Sequence, residues 1–170
     1  TGSTQVGKLI QNSLAGRDVG LTLELGGKAA NIVYEDAAID QAVEGVVNGI
    51  FFNQGHVCCA GSRLLIQESI HDQFVKKLEK RMQSLRVGNP LDKNTDIGAI
   101  NSKEQLDKIT SLVNEGVEDG GELFQTQCDL PGNGFWFRPS LFTNVQPSYS
   151  IAREEIFGPV LTTLTFRTPE

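Results

Sequence analysis

The sequence has few of the residues that build metal centres or disulfide frameworks. Its 170 residues include three cysteines and two histidines. No CxxC or HExxH spacing occurs among them, so the common zinc motifs are excluded and no metal site is expected. Three cysteines is an odd number, and Cys58 and Cys59 are adjacent. We therefore expect no disulfide framework, and a reducing, cytoplasmic location fits better.

Positive charge and long apolar runs are also scarce. Fifteen basic residues stand against 21 acidic ones, for a net charge of −6, which argues against a nucleic-acid partner. No apolar run approaches the roughly 20 residues of a membrane helix, and no signal-peptide pattern opens the chain, so we expect no membrane attachment. The first residues, TGSTQVGKLI, are typical of the interior of a longer protein. With 39% hydrophobic residues, the composition is that of a globular domain.

Helix and strand patterns alternate along the chain, which predicts an α/β fold with a layered open sheet and flanking helices. Asp36 is expected to cap the second helix, and Pro139 is expected to place its strand at an edge or a bend. Helical periodicity covers residues 6–14, 37–52, 69–88 and 102–116, and strand patterns cover 21–27, 30–35, 63–67, 135–145 and 158–166.

The stretch GSTQVGKL, residues 2–9, nearly matches a phosphate-binding loop. Leu9 stands where that motif needs a hydroxyl residue for magnesium, so nucleotide hydrolysis is not expected. The free amides of a helix that starts at Ser3 would suit a phosphate. On these residues alone, however, an ordinary helix cap is the better explanation.

The stretch FFNQGHVCCAGSR, residues 51–63, indicates a nucleophilic cysteine. A free cysteine is usually just a small apolar core residue, and this explanation is adequate for the other two. Cys58 differs because Gly55 and Gly61 bracket it and allow the backbone to turn tightly near a ligand. A helix start within this stretch would favour the reactive thiolate.

A cysteine nucleophile needs a proton acceptor, and the sequence offers two. His56 would share a face with Cys58 on a strand but not on a helix. Glu24 lies in the apolar stretch LTLELGG, where carboxylates tend to be paired or functional. Because Thr22 and Glu24 would share one strand face, simple solvent exposure explains Glu24 equally well. In REEIFGPV, residues 153–160, the pattern alone favours an exposed charged turn.

Four segments taken in order, TGSTQVGK, LELGGK, FFNQGHVCCAGSR and REEIFGPV, resemble the aldehyde dehydrogenase superfamily over the whole chain. The segments GSRLLIQESI and RVGNPLDKNTDIGAI are similar to its family-16 branch. The resemblance implies that the Cys58 thiolate attacks an aldehyde carbonyl and forms a thiohemiacetal. Hydride transfer to NAD or NADP then leaves a thioester. Glu24 would activate the water that releases the carboxylic acid.

The resemblance also implies a set of cofactor contacts. Ser3 would meet the pyrophosphate at the start of the first helix. Glu155 would hydrogen-bond the nicotinamide ribose, and Phe157 would pack beside the nicotinamide. Leu25 and Gly26 would line the path near that ring.

The same resemblance suggests a domain division. Residues 1–26 would be the C-terminal tail of the NAD(P)-binding domain, and residues 27–170 the catalytic domain, truncated at its C-terminal end. The resemblance implies a dimer or tetramer, so we expect the full-length protein to be a homo-oligomer. Family members are also far longer, so we expect the isolated fragment to be inactive. A catalytically silent module with an assembly role is the alternative, and the presence of both Cys58 and Glu24 argues against it. The family usually has Gln at the position of His56, which we expect to lie outside the pocket.

Overall fold

The structure is a computed structural model, and residues 1–168 are described. Helices and strands alternate along these residues, as the sequence pattern predicts. Their bounds are α1 Thr4–Leu14, β1 Ala30–Val33, α2 Ile39–Phe51, β2 Arg63–Gln67, α3 His71–Met82, α4 Lys103–Glu118, β3 Glu122–Gln125, β4 Ser140–Thr143, α5 Ser150–Arg153 and β5 Val160–Phe166, with 3-10 turns at Phe52–Gly55 and Glu68–Ile70.

The five strands form one sheet in the order β1-β2-β5-β4-β3. The first three contacts are parallel, and β3 joins β4 in the antiparallel sense. In β5, the central strand, four consecutive residues from Val160 to Thr163 are buried. Such a continuous buried run is expected when helices cover both faces of a parallel strand.

Two hydrophobic clusters fill the layers on either side of the sheet. One joins α2 and α3 to the sheet and contains Phe74 and Leu161, and the other joins α4 and α5 to it and contains Phe142 and Val160. Val160 and Leu161 are neighbours on β5, so their side chains point to opposite faces. The predicted α/β architecture of a layered sheet with flanking helices is therefore confirmed.

The strand predicted over residues 21–27 is wrong. Residues 18–29 form no helix or strand, and Leu21 is exposed. Among the described residues no strand pairs with this segment, and an apolar alternation without a partner cannot form a sheet. The segment instead holds α1, through the hydrogen bond from the Gly2 amide to the Glu24 carbonyl (3.1 Å) and through the packing of Leu25 against Gly7.

The predicted cap of α2 and the predicted edge position of the Pro139 strand are also wrong. The residue before α2 is Ala38, and no side chain caps that helix, so Asp36 is not its cap. Pro139 does not mark an edge, because β4 lies between β5 and β3. Pro139 directly precedes β4, where its missing N–H removes no ladder bond.

Candidate active site

A cavity of about 350 Å³ opens between the start of α1 and the segments around residues 25, 58 and 156. The seven residues to which the resemblance assigns a role all line it, and His56 does not. Four further residues join them. The lining consists of Thr1, Gly2, Ser3, Glu24, Leu25, Gly26, Cys58, Gln105, Lys108, Glu155 and Phe157.

The start of α1 forms one wall of the cavity. The Ser3 hydroxyl accepts a hydrogen bond from the Val6 amide (3.3 Å) and caps the helix. The remaining amides of a first helical turn have no partner within the helix. The capping role expected from the sequence is therefore confirmed, and it is compatible with an anion at this wall.

Cys58 is presented by a turn that follows a left-handed stretch of backbone. Asn53, Gln54 and Gly55 have φ values of 49°, 58° and 73°, which redirect the chain as it leaves α2. Cys58 and Cys59 then lie in a turn in which the Ala60 amide donates to the Val57 carbonyl (3.0 Å). The helix start expected here is absent, because this single turn is not continued. Both thiols are exposed, so the expectation that Cys59 is a packed core residue is wrong.

The cysteine loop, residues 53–58, packs directly against the acidic loop, residues 154–158. A Cβ on Gly55 would lie 2.6 Å from the carbonyl carbon of Gly158. The backbones of the two loops therefore touch. Glycine is required at position 55 because a side chain would clash with Gly158 and because the φ angle is positive. Gly61, the other bracketing glycine, faces the Asn31 side chain, with a Cβ only 2.6 Å from its amide carbon.

Helix α4 fixes the acidic loop from the other side. The side chain of Gln105 donates to the carbonyls of Ile156 (2.8 Å) and Phe157 (3.1 Å). Lys108 donates to the carbonyl of Glu155 (2.7 Å). Sequence reasoning missed both residues, because at a spacing of three they resemble the wet face of an amphipathic helix.

The carboxylate of Glu155 occupies the space where Gly26 has no side chain. A Cβ on Gly26 would lie 3.0 Å from the Glu155 carboxyl carbon and would overlap one of its oxygens. Gly26 therefore lets Glu155 face the cavity beside Leu25. Glu24 is exposed and lines the same cavity as Cys58. The two explanations for Glu24 left open by the sequence are thus compatible.

A buried amine lies beside this acidic group. The Nζ atom of Lys28 has no hydrogen-bond partner among residues 1–168. Burial, with Arg63 adding to the effect, lowers the pKa of Lys28 to about 8, while Glu155 and Glu154 oppose the change. Lys28 lines a second cavity of about 380 Å³ that shares Ser3, Gly26, Lys108 and Glu155 with the first. In the described part of the chain no cluster of His, Cys, Asp or Glu could hold a metal ion, and every helix is too short or too polar to cross a bilayer.

Comparison with known proteins identifies the family of this chain. Residues 1–170 match the profile described as "Aldehyde dehydrogenase family". Retinal dehydrogenase 2 from Taeniopygia guttata is 47% identical over 170 residues, and its Homo sapiens counterpart is 46% identical. Each alignment covers 99% of this chain and 33% of the relative.

Solved structures agree with this match. The NAD-dependent aldehyde dehydrogenase from Sinorhizobium meliloti aligns with a TM-score of 0.90 at 41% identity, over 98% of this chain and 33% of that one. Betaine aldehyde dehydrogenase from Staphylococcus aureus, solved in complex with NAD+, aligns with a TM-score of 0.91 at 36% identity, over 98% and 34%. The chain thus spans about one third of the length of these relatives.

Proposed function

The chain belongs to the aldehyde dehydrogenase family, and on that basis we propose that it is the catalytic segment of an oxidoreductase that converts an aldehyde to a carboxylic acid with NAD+ or NADP+. The observation that carries the proposal is that Cys58, Glu24 and Glu155 line one cavity although they come from distant parts of the sequence. A thiol and a carboxylate at one site are the nucleophile and base that this reaction needs.

The residues of the cavity fit one end of a dinucleotide. A volume of about 350 Å³ lies near the lower end of the roughly 300–1,000 Å³ of ligand pockets, so it suits a nicotinamide and its ribose rather than the whole molecule. The start of α1 would hold the pyrophosphate at Ser3. Glu155 would accept hydrogen bonds from ribose hydroxyls, and Leu25 and Phe157 would contact the flat ring. Bound NAD(P)+ supplies the hydride acceptor, and the relatives named as NAD-dependent favour NAD+.

In the first half-reaction, the Cys58 thiolate adds to the aldehyde carbon. The C–S bond forms, and the carbonyl π electrons move to oxygen and give a thiohemiacetal alkoxide. The backbone N–H of Cys58 would donate to this oxygen, since positioned amides stabilise developing charge at low cost. Loss of hydride from the same carbon restores the carbonyl and leaves a thioester on Cys58.

In the second half-reaction, Glu24 takes a proton from water while the water oxygen attacks the thioester carbon. The C–S bond then breaks, which releases the carboxylic acid and regenerates the Cys58 thiolate. Because Glu24 is exposed at the cavity, water can reach it directly. A positioned general base contributes a factor of about 10²–10⁴ in rate.

The proposal extends to the complete natural protein. Residues 1–26 would close the NAD(P)-binding domain and residues 27–170 would form most of the catalytic domain, so the cavity lies at their junction. The complete protein would be a cytoplasmic homo-oligomer. The isolated 170 residues would turn over no aldehyde, because their cavity holds only part of a dinucleotide.

The test is NADH formation, followed by absorbance, when an aldehyde and NAD+ are added to the complete natural protein. Cys58→Ser should abolish turnover, whereas the matched control Cys59→Ser, at the neighbouring exposed thiol, should keep it. Glu24→Gln should release about one NADH per site and then stall, because the thioester forms but is not hydrolysed. Equal rates in wild type and Cys58→Ser would disprove the assignment and favour a catalytically silent assembly module.

A further inference from the structure

The side chain of His56 is half-buried, and both of its ring nitrogens are buried without a well-formed hydrogen bond among the described residues. Buried polar atoms are nearly always paired, so this ring requires an explanation. Its centroid lies 5.4 Å from that of the Phe157 ring, with the planes 35° apart, within the range of favourable aromatic contacts. His56 does not line the cavity, but the ring that it contacts does.

Phe157 is a residue that needs support. Its φ of 55° lies in the left-handed region, which is unfavourable for a bulky side chain and persists only when surrounding contacts enforce it. Gln105 holds its carbonyl, and Gly158 is confined between Gly55 and Ile109. These contacts fix the backbone, whereas His56 contacts the aromatic ring itself.

We propose that His56 is a positioning residue that holds the Phe157 ring against the cavity while its imidazole is neutral and releases that ring when it is protonated. The contact between the His56 and Phe157 rings follows from their geometry. The consequence for cofactor binding rests on the proposed function, in which Phe157 packs beside the nicotinamide.

Protonation of His56 would leave part of its charge without a partner inside the protein. A charged imidazole has two N–H donors to satisfy, and the nearby Phe157 carbonyl, which also accepts from Gln105, can serve only one of them. Burial lowers the pKa of His56 below its ordinary 6.5, and the Phe157 carbonyl opposes that shift. The ring is therefore neutral at pH 7 and becomes charged only as the pH falls through this lowered pKa.

Other titratable groups lie on the segments packed around His56. Its own loop carries Cys58, the facing loop carries Glu154 and Glu155, and α4 carries Lys108. None of these groups is among the causes of the His56 shift. A response below pH 6.5 that disappears with the imidazole can thus be assigned to His56.

The direct test uses fluorine NMR on the complete natural protein with para-fluorophenylalanine placed at position 157 alone. We expect its resonance to titrate below pH 6.5, to lose that titration in His56→Gln, and to keep it in His71→Gln. His71 is a matched control because it contacts Asp72 (2.9 Å) and does not line the cavity. A resonance that does not titrate, or that titrates equally in His56→Gln, would overturn the proposal.

A second test measures the KM for NAD+ against pH. At neutral pH, His56→Gln should raise this KM about two- to tenfold through loss of one aromatic contact, with kcat within about twofold of wild type. Below the His56 pKa the wild-type KM should rise by up to tenfold per pH unit, as for a single proton, whereas the KM of His56→Gln should not. The plots of KM against pH for the two proteins should therefore cross. Parallel profiles would contradict the proposal. If the wild type makes no NADH at all, the proposed function fails, and the fluorine titration still decides the role of His56.

Discussion

Replacing Gly55 with alanine tests the contact between the cysteine loop and the acidic loop. Gly55 has φ 73°, and a side chain in this left-handed region costs about 1–2 kcal/mol. The new Cβ would lie 2.6 Å from the Gly158 carbonyl carbon. Ordinary carbon contacts need about 3.5–4.0 Å, so one of the loops must move by about 1 Å.

The acidic loop has no room to move. A Cβ on Gly158 would lie only 2.8 Å from the Cγ1 atom of Ile109, and Ile109 is fully buried in the cluster under α4. Overpacking of this kind costs about 1–3 kcal/mol. Together with the backbone term, Gly55→Ala should lower the free energy of unfolding by about 2–5 kcal/mol, a large share of the roughly 5–15 kcal/mol typical of a domain.

The assay is urea unfolding of the 170-residue chain followed by circular dichroism, with Gly45→Ala as the matched control. Gly45 is an exposed glycine within α2, and a Cβ there would meet nothing within 4 Å. Alanine at this position should therefore raise the free energy of unfolding by about 0.5–1 kcal/mol. If Gly55→Ala unfolds within about 0.5 kcal/mol of wild type, the two loops are not in the contact described.

Three further predictions concern the surroundings of the cavity. Gly26→Ala should displace the Glu155 carboxylate, whose carbon would lie 3.0 Å from the new Cβ. The KM for NAD+ should then rise by about tenfold or more, as expected for a lost charge-assisted hydrogen bond. An unchanged KM would contradict the role of Glu155. Burial lowers the pKa of Lys28 from 10.5 to about 8, so between these pH values the unfolded chain binds the proton more tightly than the folded one. As the pH rises, the free energy of unfolding of wild type should therefore increase by at most about 3 kcal/mol relative to Lys28→Met. Urea unfolding at pH 8 and 10 measures this, and a difference that does not change with pH would refute it. Ile109→Ala removes a fully buried side chain and should cost about 2–5 kcal/mol, measured as a lower urea midpoint with an unchanged slope.

The sequence predicts the parts of this fold in which burial and periodicity agree. Residues 63–67 and 158–166 contain β2 and β5, in which Leu64, Ile66, Val160 and Leu161 are buried. Residues 21–27 have the same alternation and form no strand, because strand formation depends on a partner that a local pattern does not reveal. The strand β3, Glu122–Gln125, was missed because it is short and two of its four residues are exposed.

For the candidate site, the residue types predicted more than the local geometry did. Cys58 and Glu24 attract attention because a thiol and a carboxylate in such surroundings are uncommon. The residue types of Asn53 and Gln54 do not predict their left-handed backbone, because non-glycine residues seldom adopt that conformation. Gln105 and Lys108 were missed for another reason: their role depends on carbonyls some 50 positions away, which helical periodicity cannot reveal.

The walls of the cavity come from segments that extend from Ser3 to Phe157. During synthesis on the ribosome, Cys58 emerges well before the residues around Phe157, and closing such long loops is a slow part of folding. Until that closure, the Cys58 thiol lacks the cavity walls that Glu155 and Phe157 contribute. The complete cavity therefore forms only after the nascent chain has passed Phe157 and reached its final topology.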